Sequence, residues 1–322
     1  MANSIINING NLIAVYSPDT DPTEGRQSWL HPDARISVFD RSYLYGDSLY
    51  EVARTYGGRF FLLEEHLERL EASARLCHME LSQNRATLLG EIEKTWRAFK
   101  ALPENSTVHP NREAYLRIVL SRGSGKIGFA KECVKSPTTF TLYMQPVEEP
   151  TAEQRQKGMH LWVAARLRND PRALDPAMKS GNYLNSLLAY LEAQDASNSA
   201  APTGPYDDAL LCNADGHITE GTTFNIFYVR RGIVVTPPLD IGILDGITRR
   251  KVIELARQHS YPVREVRFPK ERLYEADEVF LTSSVREVFA VTALDGRKIS
   301  RGKPGPITRH LEALYQAQRN PS

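Results

Sequence analysis

The chain has 322 residues, which at roughly 150 residues per domain is enough for two domains with sizeable cores. Its 40 Lys and Arg balance 39 Asp and Glu, and this net charge of +1 argues against nucleic acid or an anionic membrane surface as partner. The three widely spaced cysteines form no CxxC metal pair and no disulfide framework. No long apolar run predicts a membrane span or a signal peptide. We therefore expect a cytoplasmic protein without a bound metal.

The first half of the chain alternates between strand-like and helix-like patterns. Apolar and polar residues alternate in the strand segments, and apolar residues recur every three or four positions in the helical ones. The predicted elements are a hairpin turning at Asn9-Gly10, a polar loop over 17–27, a strand over 34–40, two helices from Leu62 onward, and strands over 114–125 and 138–147. This order predicts an α+β domain.

A segment rich in proline and glutamate, residues 146–154, predicts a linker. We expect a smaller N-terminal α+β domain over 1–145 and a larger C-terminal domain over 155–322, which makes the whole chain α/β in class. The predicted elements of the second domain are a strand over 159–167, a helix over 183–194, hairpins turning at Asp215-Gly216 and Arg231-Gly232, a helix over 246–260, a strand over 278–284 and a helix over 306–318. Four leucines of the first helix, at 184, 187, 188 and 191, fall on one face.

Lys179 is the first candidate for chemistry. It lies in DPAMKSGNYLN, between a predicted strand and a predicted helix. Most lysines are solvated surface residues. Here the neighbours include apolar Met178 and the turn-forming run Ser180 to Asn182, which would hold the side chain at a helix start. A lysine desolvated in this way can form a Schiff base with a carbonyl compound.

Glu220 lies before Gly221 in an otherwise apolar, β-rich region. It is either an exposed hairpin residue or a buried acid. A buried carboxylate needs a cationic partner, because leaving it unpaired costs several kcal/mol. A protonated pyridine nitrogen would be such a partner.

Groups that could bind a phosphate occur at three places. Thr248 lies at a helix start in GITRR, where backbone N–H groups favour an anion, although it could equally be the helix N-cap. The segment 282–287, TSSVRE, offers two serine hydroxyls at the end of a strand. Arg69 lies in a helix of mixed charge and is either a solvated residue or a third ligand. An imine-forming amine, an acid and phosphate ligands are together the set that pyridoxal 5′-phosphate (PLP) requires.

At these residues the sequence resembles the fold-type IV PLP enzymes, which comprise branched-chain amino acid transaminases, D-amino acid transaminases and aminodeoxychorismate lyases. The matching stretches, in order, are ISVFDRSYLYGDSLYEVARTYGG, EEHLERLEASA, YLRIVLSRGSGKIG, KSGNYLNSLLAYLEA, ITEGTTFNIF, GITRR and EVFLTSSVREV. The resemblance runs from Asn7 to about Leu314. It implies two α/β domains with the active site at their interface, and a homodimer in which a loop of the second subunit closes the site.

The resemblance also implies a role for each matching residue. Lys179 matches the lysine that forms the Schiff base with PLP and later moves the α-proton. Glu220 matches the acid that keeps the pyridine nitrogen protonated. Tyr183 matches the tyrosine near the phenolic oxygen, although it follows the lysine by four residues where some members have five. The matching phosphate ligands are Arg69, the backbone of Ile247 and Thr248, and the hydroxyl of Ser284.

Substrate choice rests on a Tyr-x-Arg pair. Tyr115 and Arg117 are two residues apart on a predicted strand, so both side chains point to one face. They match the pair of the L-branched-chain transaminases, in which the tyrosine helps to bind the substrate carboxylate beside the backbone at positions matching Ser284 and Val285. Further matches in the pocket are Tyr45 and Tyr50, with Arg54 in the same strand. This predicts amino transfer between an L-branched-chain or related amino acid and 2-oxoglutarate in a ping-pong cycle.

Three departures keep other activities open. Val52 stands where many branched-chain enzymes have glycine, and EVARTYGG is closer to D-amino acid or (R)-amine transaminases. The loop SRGSGxxGF is similar to that of the lyases. Arg286 would either neutralise a second substrate carboxylate or pair with Glu287. The alternatives are therefore a D-amino acid or (R)-amine transaminase, an aminodeoxychorismate lyase, or a protein that binds the cofactor without catalysis.

Overall fold

The computed structural model describes residues 2–15, 33–197 and 204–319. The chain divides into two compact units. Unit 1 comprises Met1–Glu148 and Met178–Asn182, and unit 2 comprises Glu149–Ala177 and Tyr183–Ser322. The boundary after Glu148 lies in the segment predicted as a linker, but a helix with its own capping box begins at Ala152. Within the described ranges, no helix combines the length and apolarity needed to cross a bilayer.

Unit 1 is an antiparallel six-stranded sheet with helices on one face. Its elements are β1 Ser4–Ile8, β2 Asn11–Val15, α1 Arg41–Tyr45, β3 Ser48–Tyr56, β4 Arg59–Phe60, α2 Leu63–Leu76, α3 Arg85–Ala101, β5 Ala114–Ser121 and β6 Thr139–Pro146. The strand order is β2-β1-β6-β5-β3-β4. Alternate side chains of β5, such as Leu116 and Ile118, pack with Leu67, Leu70 and Phe99 of α2 and α3 in one core. The other side chains of β5 lie on the opposite, open face.

Most of the predicted elements of unit 1 are confirmed. The first hairpin turns at Asn9 and Gly10 with φ of 49° and 92°, as a turn of this kind requires. The strand predicted over 34–40 is wrong. Residues 34–39 have no strand partner within the described ranges and are mostly exposed, so their alternating pattern does not correspond to a strand of a sheet. The loop predicted over 17–27 lies outside the described residues.

Unit 2 is built on a mixed sheet. Its elements are α4 Ala152–Lys157, β7 Met159–Leu167, α5 Leu184–Ser197, β8 Asp208–Cys212, β9 Ile218–Gly221, β10 Asn225–Arg230, β11 Ile233–Thr236, α6 Ile247–Gln258, β12 Val263–Glu265, α7 Glu271–Tyr274, β13 Glu278–Ser283, β14 Glu287–Leu294, β15 Arg297–Lys298 and α8 Pro306–Ala317. The strand order is β12-β11-β10-β13-β14-β7-β8-β9, and β15 pairs with β14. Leu161, Leu210, Ile226 and Leu281 belong to a core on one face of this sheet. Helices α5, α6 and α8 contact its strands from outside that core.

Helix α5 packs by its small residues rather than by its leucines. Ser186, Ala189 and Ala193 are its buried side chains, because they allow close approach to β7 and β8. Leu184, Leu187 and Leu191 are instead about half exposed. The predicted helix is confirmed, so the leucines share one of its faces, but this face is not buried within unit 2.

Candidate active site

Lys179 lies on a short segment of unit 1 that pairs with the start of β3. The Gly181 N–H donates to the Ser48 carbonyl at 2.7 Å, and the Tyr50 N–H donates to the Lys179 carbonyl at 3.0 Å. The Lys179 N–H donates to Ser73 Oγ of α2 at 3.1 Å. Gly181 permits this approach, since a Cβ there would lie 2.1 Å from Ser48 Oγ. The backbone of the lysine is thus held by both a strand and a helix.

The amine of Lys179 contacts Tyr50. Its Nζ donates to the Tyr50 hydroxyl at 2.8 Å and lies 4.1 Å from the ring centroid. The guanidinium of Arg117 lies 4.3 Å from the same centroid. The sequence placed Tyr50 among residues lining the pocket, whereas the structure brings its hydroxyl to the amine expected to react.

Arg69 is ion-paired and its side chain is only 10% exposed, so the interpretation as a solvated helix residue is wrong. Its Nε and Nη2 donate to the two carboxylate oxygens of Glu51 at 2.7 and 2.8 Å. His66 Nδ1 lies 2.7 Å from Glu51 Oε2. Burial would raise the pKa of Glu51, but the charge of Arg69 and the hydrogen bonds from both partners outweigh it and lower that pKa to about 2. Burial lowers the pKa of His66, so the imidazole is neutral and donates from Nδ1.

Tyr115 and Arg117 lie on the open face of the unit 1 sheet, as their spacing predicted. Burial raises the pKa of Tyr115, although Arg117 acts in the opposite direction. In the register of β3 and β5, Val52 is the partner of Arg117. Both residues of the pair line a cavity of about 680 Å³. Its other walls include Ile6, Ser121, Thr141, Tyr143 and Gln145.

Two other residues predicted for the substrate pocket have structural partners of their own. The Tyr45 hydroxyl accepts from the Gly128 N–H at 2.9 Å, and its ring lies 5.2 Å from that of Phe129. Arg54 is fully buried with its guanidinium over the Tyr56 ring, 4.2 Å from the centroid. Their contact with a substrate stays a prediction.

Glu220 is buried in unit 2, so the exposed-hairpin interpretation is wrong. Its Oε1 accepts from Nε and Nη2 of Arg168 at 3.1 and 2.8 Å. Its Oε2 accepts from the Leu244 N–H at 3.0 Å and lies 3.4 Å from Asn225 Nδ2. The carboxylate is therefore held in place by a cation and a backbone N–H. Sequence reasoning missed Arg168, and its 52-residue distance from Glu220 leaves no spacing signal that could have found it.

The start of α6 has the features of an anion site. Its N-cap is Gly246, which has no side chain to cap the first N–H groups, and its first turn has no acidic residue. A Cβ at Gly246 would lie 2.0 Å from Asn225 Oδ1. Thr248 lies in the first turn, so the N-cap interpretation of Thr248 is wrong. On β13, Thr282 Oγ1 is buried with no hydrogen-bond partner among the described residues. These groups fit a phosphorylated ligand.

Ser284 and Val285 lie in a three-residue turn between β13 and β14, which Glu287 closes by pairing with Ser283. Glu287 has a φ of +59°, a left-handed conformation that glycine would adopt more easily. Its buried carboxylate is ion-paired to Arg155 and Arg319. The predicted pairing of Arg286 with Glu287 is therefore wrong.

Arg286 instead binds a buried acid at the start of β8. Its Nη1 donates to Asp208 Oδ2 at 3.0 Å, and the other oxygen of Asp208 accepts from Thr222 Oγ1 at 2.5 Å. The ion pair therefore links the β13–β14 turn to the start of β8.

The predicted site residues divide between the units. In unit 1 are Tyr45, Tyr50, Arg54, Arg69, Tyr115, Arg117 and Lys179, and in unit 2 are Tyr183, Glu220, Ile247, Thr248, Ser284 and Val285. Tyr183 is half-buried, and its carbonyl accepts from the Leu187 N–H in the first turn of α5. Over the described ranges, no group of three or more His, Cys, Asp or Glu side chains could hold a metal ion.

Comparison with known proteins assigns the family. Residues 48–294 match the model of the class IV aminotransferases. A Methanocaldococcus jannaschii protein assigned as a branched-chain-amino-acid aminotransferase is 36% identical over 88% of this chain and 91% of its own. A D-alanine aminotransferase of Bacillus licheniformis is 33% identical over 88% of this chain and 92% of its own. The chain belongs to the class IV aminotransferases.

Solved structures agree with this assignment. The branched-chain aminotransferase of Thermoproteus uzoniensis, solved with norvaline, has a TM-score of 0.79 at 27% identity, covering 98% of this chain and 94% of that one. The branched-chain amino acid aminotransferase of Thermobaculum terrenum in its PLP form has a TM-score of 0.77 at 27% identity, covering 99% and 94%. The fold is thus that of the fold-type IV aminotransferases, and PLP is the cofactor of this fold.

Proposed function

We propose that this enzyme is a branched-chain-amino-acid transaminase that uses PLP and passes the amino group to 2-oxoglutarate in a ping-pong cycle. The observation that carries the proposal is the Tyr115 and Arg117 pair on the wall of the cavity in unit 1. The pair matches the L-branched-chain enzymes in type and spacing. The solved relative in its PLP form supports the cofactor.

Lys179 binds the cofactor and moves the proton. PLP supplies an aldehyde that takes up an amino group and a ring that withdraws electrons from the α-carbon. With the cofactor and an amino acid bound, Nζ of Lys179 would be the base that accepts the α-proton and the acid that gives it back. The Tyr50 hydroxyl, 2.8 Å from Nζ, orients the amine for this transfer.

Glu220 and Tyr183 would each hydrogen-bond the cofactor ring. Glu220 would accept the hydrogen bond of the pyridine nitrogen and keep that nitrogen protonated, and Arg168 holds its carboxylate in place. Tyr183 would donate to the phenolic oxygen. The phosphate would be bound by Arg69, the N–H groups of Ile247 and Thr248 at the start of α6, and the hydroxyl of Ser284. The substrate carboxylate is bound by the Tyr115 hydroxyl and the backbone at Ser284 and Val285.

The test measures the amino donor and the product. Purified enzyme with PLP, L-leucine or L-valine, and 2-oxoglutarate should form glutamate, and chiral chromatography should identify it as the L-isomer. Lys179→Ala should abolish turnover while the protein keeps its unfolding midpoint. Normal turnover by Lys179→Ala, or no glutamate from any branched-chain donor, would contradict the proposal.

A D-amino acid transaminase is the second candidate, and Val52 favours it. Its side chain lies opposite Arg117 in the strand register, where many branched-chain enzymes have glycine. The D-alanine aminotransferase relative is 33% identical. Under this hypothesis D-alanine, rather than L-leucine, supports turnover and D-glutamate accumulates. The same assay therefore separates the two.

The proposal includes a homodimer and a cytoplasmic location. The half-exposed leucines Leu184, Leu187 and Leu191 form an apolar face on α5 that a second copy of the chain would cover. Light scattering should give the mass of a dimer, and Leu187→Glu with Leu191→Glu should give a monomer; a monomeric wild type would overturn this part. The three free cysteines suit a reducing compartment.

A further inference from the structure

Two arginines of unit 1 bind glutamates with the same geometry in different surroundings. Arg69 uses Nε and Nη2 to bind Glu51, and Arg85 uses the same two nitrogens to bind Glu71 at 2.9 and 2.7 Å. The Arg85 pair is about one-third exposed, whereas Glu51 is 0% exposed and Arg69 10%. Exposed pairs of this kind contribute little to stability. Burial of an ion pair carries a desolvation cost, so the Glu51 pair calls for another explanation.

The carboxylate of Glu51 is held by three side-chain hydrogen bonds. Besides the two bonds from Arg69, it accepts a bond from neutral His66 at 2.7 Å. His66 and Arg69 are three residues apart on α2, so both project from the same face of that helix. A guanidinium bound to a buried carboxylate that is fixed in this way has fewer accessible orientations than one in solvent.

The same strand and helix hold Lys179. Ser73 lies one turn after Arg69 on α2, and its Oγ accepts from the Lys179 N–H. Glu51 follows Tyr50 on β3, and the Tyr50 hydroxyl accepts from Lys179 Nζ. The positive charge of Lys179 acts on His66, where it opposes protonation. Glu51 and Arg69 therefore lie on the same strand and helix as the groups that hold the lysine.

The geometry points to Glu51 as a positioning residue for the cofactor phosphate: its carboxylate fixes Arg69 in one orientation, so that the guanidinium is ordered before the phosphate arrives. This rests on the proposed role of Arg69 as a phosphate ligand. An arginine ordered in advance loses less side-chain entropy on binding.

The test compares PLP with pyridoxal, which lacks the phosphate. The full-length chain, freed of cofactor, is titrated with each compound and its Kd is measured by fluorescence quenching. Glu51→Gln should raise the Kd for PLP at least about tenfold and change the Kd for pyridoxal less than about twofold. The matched control is Glu71→Gln, which removes the same bidentate pair at the surface and should change neither Kd. If Glu51 had only a structural role, the variant would bind PLP and pyridoxal more weakly by the same factor.

A second variant separates this inference from the proposed function. Arg69→Met should lower the preference for PLP over pyridoxal, and adding Glu51→Gln to it should lower the preference no further. If Arg69→Met leaves the preference unchanged, the phosphate role of Arg69 fails. If it lowers the preference and Glu51→Gln alone does not, only the positioning role fails.

Glu51→Asp covers the case in which Glu51→Gln does not fold. It keeps the charge, but its side chain is one methylene shorter, so the carboxylate cannot reach Arg69 from the same backbone position. It should show the same selective loss of PLP affinity. An aspartate variant that binds PLP as tightly as the wild type would overturn the inference.

Discussion

Each unit contains an arginine–glutamate pair, but the two side chains exchange roles. In unit 1 the residue proposed to meet the cofactor is a cation, Arg69, and a buried glutamate holds it. In unit 2 that residue is an anion, Glu220, and an arginine holds it. Both pairs use Nε and Nη2 of the arginine, but Arg69 contacts both oxygens of its partner and Arg168 contacts one.

This difference in geometry has a chemical consequence. The second oxygen of Glu220 accepts from the Leu244 N–H and lies near the Asn225 amide, which are neutral donors, so only one of its oxygens contacts a cation. A protonated ring nitrogen would bring a cation to the other oxygen. Both oxygens of Glu51 already contact Arg69. A carboxylate with both oxygens on one guanidinium suits a supporting role, and one with an oxygen on neutral donors suits contact with a charged ligand.

The largest effect is expected from neutralising Glu220. Glu220→Gln should lower kcat about 100-fold or more, because an amide cannot keep the ring nitrogen protonated. Single-turnover absorbance with an L-amino acid measures this step directly. Asp215→Asn, an exposed acid of the neighbouring hairpin, is the control and should leave kcat unchanged. Equal rates for Glu220→Gln and wild type would remove Glu220 from the mechanism.

Removing the arginine of the Arg168–Glu220 pair should lower kcat less than removing the charge of Glu220. Arg168→Met leaves Glu220 buried without its cation, so we expect kcat to fall about tenfold and the free energy of unfolding to fall by about 3 kcal/mol. Denaturant unfolding and steady-state kinetics measure the two losses. A variant that loses stability with normal kcat would show that Arg168 supports the fold alone.

The buried groups His66 and Glu51 of unit 1 should make the free energy of unfolding depend on pH. Folding holds the pKa of His66 below its usual 6.5 and that of Glu51 below its usual 4.5, so the unfolded chain binds protons that the folded chain does not. The free energy of unfolding should therefore begin to fall as the pH drops through 6.5 and fall further below 4.5. Urea titrations from pH 8 to 4 measure the slope. His66→Gln should flatten it between pH 7 and 5, and an unchanged slope would contradict the assignment.

Arg286 should show the smallest effect. It is about one-third exposed, so Arg286→Ala should cost about 1 kcal/mol through the loss of its bond to Asp208. We expect the KM for 2-oxoglutarate to change less than about twofold, because the guanidinium already has a carboxylate partner within the protein. A tenfold rise in that KM would instead make Arg286 a ligand of the second substrate carboxylate.

The elements that the sequence predicted correctly depend on residues close together in the chain. The hairpin at Asn9-Gly10 and the helix before Arg69 follow from turn residues and apolar spacing within a few positions. The strand over 34–40 was wrong because alternation alone cannot show whether a partner strand exists. Lys179, Glu220 and Arg69 were candidates from their residue types and sequence neighbours, and the resemblance to a family implied their roles. Their supporting residues, Glu51 and Arg168, were not found, since tertiary packing brings them together across 18 and 52 residues.

The placement of Lys179 bears on the order in which the protein folds. Its segment, Met178–Asn182, groups with unit 1, while the chain on both sides of it groups with unit 2. The partners of the lysine are 129 residues away at Tyr50 and 106 residues away at Ser73. A fragment ending at Glu148 would contain every strand of the first sheet and lack the lysine. These distances are similar to those that join β1 to β6, so the cofactor attachment point is completed only when the segment Met178–Asn182 joins unit 1.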